Sequence, residues 1–222
     1  MKIKYHPTDE LIEHFTAGIL SPALSVLVST HLDLCPRCQQ VNLEVEESLA
    51  EQLITTSPAG VNTADYDQML EHIFNSPAPV QQPQRQSLHS LRVNGKTFVL
   101  PPTLARQYQR IGQWSRIPGK MFKAPVQLGS DECIHLIYMD KGSRVPEHTH
   151  KGNEVTLVIN GVFNDEQDEY RDGDFVMLDQ QHKHQPQTQS HDCLTLATLD
   201  APLLFTAGLP RLLNPFSSLF FK

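Results

Sequence analysis

Residues 142–161 read Gly-Ser-Arg-Val-Pro-Glu-His-Thr-His-Lys-Gly-Asn-Glu-Val-Thr-Leu-Val-Ile-Asn-Gly, and this stretch decides how the second half of the chain folds. By spacing it is G-x5-H-x-H-x3-E-x6-G, with Gly142, His148, His150, Glu154 and Gly161 at the defined positions. Side chains alternate faces along a strand, so His148 and His150 project from one face. The segment Lys151-Gly152-Asn153 supplies a turn that folds Glu154 back toward them. Two imidazoles and a carboxylate that converge in this way suit a divalent zinc, iron, manganese or nickel ion. The plainer reading is scattered surface histidines in a chain that has eleven of them. It does not explain why every spaced position is filled.

Short β-rich runs surround the motif: 133–139 (CIHLIYM), 154–159 (EVTLVI), 174–178 (DFVML) and 193–199 (CLTLATL). Asn160-Gly161 and Asp172-Gly173 read as turns between them. The region is therefore expected to form an all-β sandwich or barrel. The spacing of the histidine motif resembles the first motif of the cupins, small β-barrels with a metal at the centre. The resemblance implies a second motif, G-x5-P-x-G-x2-H-x3-N. Counted from Gly173, it places its histidine at His184, with Asp179, Gln181 and Thr188 standing where the pattern has proline, glycine and asparagine. His182 competes two residues earlier, and the spacing favours His184. Cys133 and Cys193 each head a strand and read most simply as small core residues.

Toward the N-terminus the periodicity changes. Residues 76–87 read SPAPVQQPQRQS, with three prolines and four glutamines, the composition of an extended, semi-rigid linker. The expected division is a helical domain over 1–76, a linker over 77–90 and a barrel over 91–222, an α+β chain of two domains. Four helices are expected before the linker. The first starts near Thr8 and stops at Gly18, and the second opens at Ser21-Pro22, a cap followed by proline. The third begins at Cys35-Pro36. The fourth follows Asn62-Thr63 with an apolar stripe of Tyr66, Met69, Leu70, Ile73 and Phe74. Such a stripe is most simply core, and otherwise a face that docks on a partner.

His31-Leu-Asp-Leu-Cys35-Pro-Arg-Cys38 is His-x3-Cys-x2-Cys. His31 and Cys35 lie four apart, on one helical face, and Pro36 turns the chain so that Cys38 returns to the same place. Two thiolates and an imidazole leave tetrahedral zinc one ligand short. His6 is the natural fourth ligand, with His14 the second choice. This pattern resembles the zinc-binding anti-sigma domain that binds bacterial extracytoplasmic-function sigma factors. The resemblance implies zinc held by the three motif residues and an N-terminal histidine, here His6. Some relatives use such cysteines as a disulfide switch.

Charge bears on the partner. The chain carries a net charge of −7, which argues against direct binding to nucleic acid. Residues 1–75 hold three basic and eleven acidic residues, a net of 3 − 11 = −8, so the helical third carries the whole excess. Such a surface is either merely solvated or shaped to meet a basic protein. With 39% hydrophobic and 19% charged residues, and no apolar run of transmembrane length, the chain reads as globular and free of membrane. Residues 1–10 lack a secretory apolar run, and the expected location is the cytoplasm.

A zinc-binding helical domain, a Pro/Gln linker and a cupin, in that order, resemble the ChrR-type anti-sigma factors along nearly the whole chain. The resemblance implies a regulator and not an enzyme. Its helices would sequester a group IV sigma factor, and its cupin would sense an oxidative signal such as singlet oxygen and trigger release. The rival expectation is a metal-dependent cupin enzyme of the dioxygenase or isomerase class with a helical docking domain.

Overall fold

The structure is a computed structural model that describes residues 2–55, 63–77, 89–129, 132–150, 152–199 and 203–206; within these, the side chains of residues 63–65, 133, 150, 199 and 203 are not described. Most of the expected linker, and the C-terminal aromatic residues Phe216, Phe220 and Phe221, lie outside the described residues.

Four helices open the chain: α1 (Asp9–Thr16), α2 (Pro22–Leu34), α3 (Pro36–Thr55) and α4 (Thr63–Asn75). The Thr8 hydroxyl caps α1 by accepting the Leu11 N–H at 3.2 Å. Gly18, at φ +71°, follows its end in the left-handed conformation that glycine takes without strain. Ser21 caps α2 ahead of Pro22. Helix α2 is the centre of this region, with Leu27 and Val28 fully buried. It meets α1 and α3 and also the barrel.

The rest is β-structure. Strands β1 (Ser90–Val93) and β2 (Lys96–Val99) form a hairpin. Its turn residues Asn94 and Gly95 both have positive φ, as a tight two-residue hairpin turn requires. A short helix α5 (Pro102–Arg106) and a 3-10 turn at Tyr108–Arg110 lead to β3 (Ser115–Ile117), β4 (Met121–Gln127), β5 (Cys133–Met139), β6 (His148–His150), β7 (Glu154–Asn164), β8 (Glu169–Arg171), β9 (Phe175–Leu178), β10 (Cys193–Leu199) and β11 (Leu203–Phe205). The main sheet runs β3-β4-β5-β10-β7-β8, with β9 also paired to β7, and β6 pairs β11 separately. Helices followed by this cupin-like β-domain match the expected α+β architecture.

Two sequence expectations change. Asn160-Gly161 does not separate strands, because β7 runs through both residues and its register against β10 shifts at Leu194/Thr195. Gly161 is required there: its φ is +94°, and a Cβ would lie 2.0 Å from the Asp192 carbonyl oxygen. The α4 stripe is not core. Tyr66, Met69, Leu70, Ile73 and Phe74 are all exposed, Phe74 at 81%.

The helices and the barrel share one apolar cluster, in which Leu27, Val28 and Leu32 of α2 join Leu104, Leu157 and Leu196. Backbone hydrogen bonds add to it. Lys4 and Tyr5 donate their N–H groups to Asp174 at 2.7 and 3.0 Å, and Tyr5 accepts the Phe175 N–H at 3.0 Å.

Candidate metal centres

The first cluster joins α2, α3 and the N-terminal segment. His6, His31, Cys35 and Cys38 bring one ligand atom each within 4.8 Å of one another. His6 Nδ1 lies 3.5 Å from Cys35 Sγ and 3.3 Å from Cys38 Sγ, and His31 Nε2 lies 3.3 Å from Cys38 Sγ. Bonds of about 2.0 Å to nitrogen and 2.3 Å to sulfur give tetrahedral N–S edges of about 3.5 Å, so the donor set fits zinc in size and type. His14 is exposed on α1 and takes no part. The second-choice ligand is thereby set aside in favour of His6.

The surroundings orient these ligands. His31 Nδ1 faces the Gly173 carbonyl oxygen at 2.8 Å and donates to it, which aims Nε2 at the thiols. Burial pushes the His31 imidazole down to about 4, so it stays neutral and ready to ligate. Burial, with Cys35 beside it, pushes the Cys38 thiol up to about 12. A thiolate there needs a cation to balance it. No disulfide joins Cys35 and Cys38, both free and buried.

The second cluster lies inside the barrel. His148 enters on β6, Glu154 opens β7, and His184 sits in the loop after β9. Their ligand atoms also fall within 4.8 Å of one another. Reciprocal backbone hydrogen bonds of 3.1 Å between His148 and His184 hold the two side by side. Their Nε2 atoms are 3.0 Å apart, and His184 Nε2 is 3.9 Å from a Glu154 oxygen. His150 lies on β6, but its side chain is outside the description. His182 is half-buried and bonded to Asp179, and His184 is the histidine that converges on His148 and Glu154.

The other nitrogen of each described imidazole also has a near polar neighbour. His148 Nδ1 faces the Pro146 carbonyl at 2.8 Å, and His184 Nδ1 faces Asp165 at 3.4 Å. The Asp165 side chain is 1% exposed. Burial alone would raise its pKa, yet His184 and the N–H groups of Gln167 and Asp168 outweigh this and hold it low. Sequence reasoning missed Asp165, which lies eleven residues beyond Glu154 in a loop with no motif. Thr156 donates its hydroxyl to Glu154 at 2.9 Å. A cavity of about 90 Å³ opens beside the three ligands, lined by Met121, Met139, Phe163, Tyr170, Val176 and Leu178 among others. The donors suit a hard or borderline divalent ion in an apolar chamber with room for a few small molecules. Cys193 is fully buried in the core.

A family model described as the ChrR cupin-like domain matches residues 112–203. The chain is 31% identical over 220 residues to the anti-sigma-E factor ChrR of Cereibacter sphaeroides, a match that covers 97% of this chain and 99% of that protein. A crystal structure of Rhodobacter sphaeroides SigE in complex with the anti-sigma ChrR superposes with a TM-score of 0.70 at 27% identity, over 90% of this chain and all of that one. With 31% identity to an anti-sigma factor along nearly the whole of both chains, this chain belongs to the ChrR family of anti-sigma factors, a family of regulators and not of enzymes.

Proposed function

We propose that this chain sequesters an extracytoplasmic-function sigma factor in the cytoplasm and releases it when an oxidative signal such as singlet oxygen acts on the barrel. In this reading residues 1–76 bind the sigma factor, 77–90 link, and 91–222 sense. Zinc sits on His6, His31, Cys35 and Cys38. Zinc or another divalent ion (iron, manganese or nickel) sits on His148, His150, Glu154 and His184. The observation that carries the reading is the exposed stripe of α4, on a chain alike end to end to one solved with SigE. An amphipathic helix that leaves Ile73 and Phe74 in water, on the acidic part of the chain, suits a basic protein with an apolar groove.

The test is co-expression with a candidate extracytoplasmic-function sigma factor. A stable 1:1 complex that silences a sigma-dependent reporter is expected. His148→Ala or Glu154→Ala should still silence it but no longer respond to a singlet-oxygen generator. Absence of a complex, or oxygen uptake with a small substrate by the chain alone, would overturn the reading.

A further inference from the structure

The two metal centres are joined by one segment of the barrel. At one end, Asp165 faces His184 Nδ1 at 3.4 Å. Its other oxygen accepts the N–H groups of Gln167 and Asp168 at 2.9 and 3.1 Å, and its N–H donates to the Asp168 carbonyl at 3.0 Å. The carboxylate that lies against His184 thus also shapes the turn that carries Asp168. Asp168 then accepts hydrogen bonds from the Tyr5 hydroxyl and the Lys4 ammonium. The Tyr5 and Tyr170 rings meet at 5.2 Å, and the Tyr170 hydroxyl donates toward Asp165 at 3.4 Å.

At the other end, Tyr5 immediately precedes His6, whose Nδ1 lies against both cysteine sulfurs. The same segment reaches the remaining imidazole, because the Gly173 carbonyl accepts from His31 Nδ1. A Cβ on Gly173 would fall 2.5 Å from Ile3 Cδ1, so the N-terminal segment is seated directly on this turn. Both histidines of the cysteine cluster are therefore positioned by residues 165–174, and so is His184. Asp165, Asp168 and Gly173 each belong to neither ligand set.

We infer that residues 165–174 couple the two centres, with Asp165 and Asp168 as positioning residues, so that occupancy of the barrel site alters metal affinity at the cysteine site. A shift of His184 on metal binding reaches His6 through Asp165, Asp168 and Tyr5. By linkage the effect runs equally in both directions. The inference rests on the reading that both clusters bind metal, but not on the identity of any protein partner.

Full-length protein and its His184→Ala variant, which weakens the barrel site, are each made with Tyr5→Phe and with Asp168→Asn. Metal stoichiometry is measured first. Cobalt(II) affinity at the cysteine site is then read from the thiolate-to-cobalt absorption, in competition with a chelator. We expect wild type and His184→Ala to differ about fivefold or more, the lower end of ordinary coupling between sites. With Tyr5→Phe or Asp168→Asn the difference should fall below about twofold, while both sites still fill. Equal cysteine-site affinity in a wild type with both sites filled and a His184→Ala variant with its barrel site empty would overturn the coupling alone. A difference that survives both substitutions would overturn the assignment of these residues. Fewer than two ions per wild-type chain would overturn the two-metal reading and the coupling with it.

Discussion

Asp33, in the last turn of α2, accepts the backbone N–H of Thr103 at 2.6 Å, in the first turn of α5. A helix start leaves its first N–H groups without partners within the helix. Here a residue from the N-terminal helices satisfies one that belongs to the β-domain. Glu132 does the converse, accepting the N–H of Ala23 at the start of α2 at 3.0 Å. Each part of the chain caps a helix of the other.

Asp33→Ala should therefore lower stability by about 1 kcal/mol, the usual worth of a helix cap. Ser29 and Thr103, whose hydroxyls lie 2.9 Å apart beside this bond, should loosen with it. Urea unfolding of the metal-loaded chain measures the loss. Hydrogen exchange should quicken at Thr103 before it does in the strands.

Ile73→Asp or Phe74→Asp should weaken sigma-factor binding about tenfold or more, because an apolar anchor in a groove is replaced by a charge. Stability should hold within about 0.5 kcal/mol, as both side chains are exposed. Calorimetric titration and thermal unfolding of the same samples separate the two effects.

Association should slow as salt rises. The excess of eleven acidic over three basic residues in 1–75 steers a basic partner over distances that salt screens. Dissociation, governed by the apolar contact, should change less. Stopped-flow rates across a salt series give both, and a flat association rate would mark the acid as a merely solvated surface.

Acid should destabilise the fold through His135. Burial, with Lys123 nearby, pushes this imidazole down to about 4, whereas in the unfolded chain it titrates near 6.5. Between these values the unfolded state binds more protons. Stability therefore rises with pH across the window and is lost as pH falls from about 6.5 to 4. The contribution of one such group is at most about 3 kcal/mol. Urea midpoints of the chelator-treated chain at pH 7 and pH 5 measure it, and His135→Gln should reduce the difference, leaving the part that His31, also held near 4 by burial, contributes.

The sequence by itself determined what short-range chemistry controls. Caps at Thr8 and Ser21, the prolines at 22 and 36 and the strand alternation after 133 act over a few residues, and each produced the element expected. That His31, Cys35 and Cys38 come together, and likewise His148, Glu154 and His184, was also legible, because their spacings put them on one helical face or at neighbouring strand positions. Tertiary structure decided the rest. His6 prevails over His14 because the N-terminal segment is hydrogen-bonded to Asp174, 170 residues beyond Lys4. Asp165 carries no motif, since its role depends only on where a loop passes His184. Periodicity made α4 amphipathic but could not say whether its apolar face meets the core or water, because burial is a property of what packs opposite. Gly161 reads as a turn residue in sequence, and only the approach of the Asp192 carbonyl shows why one continuous strand needs a glycine there.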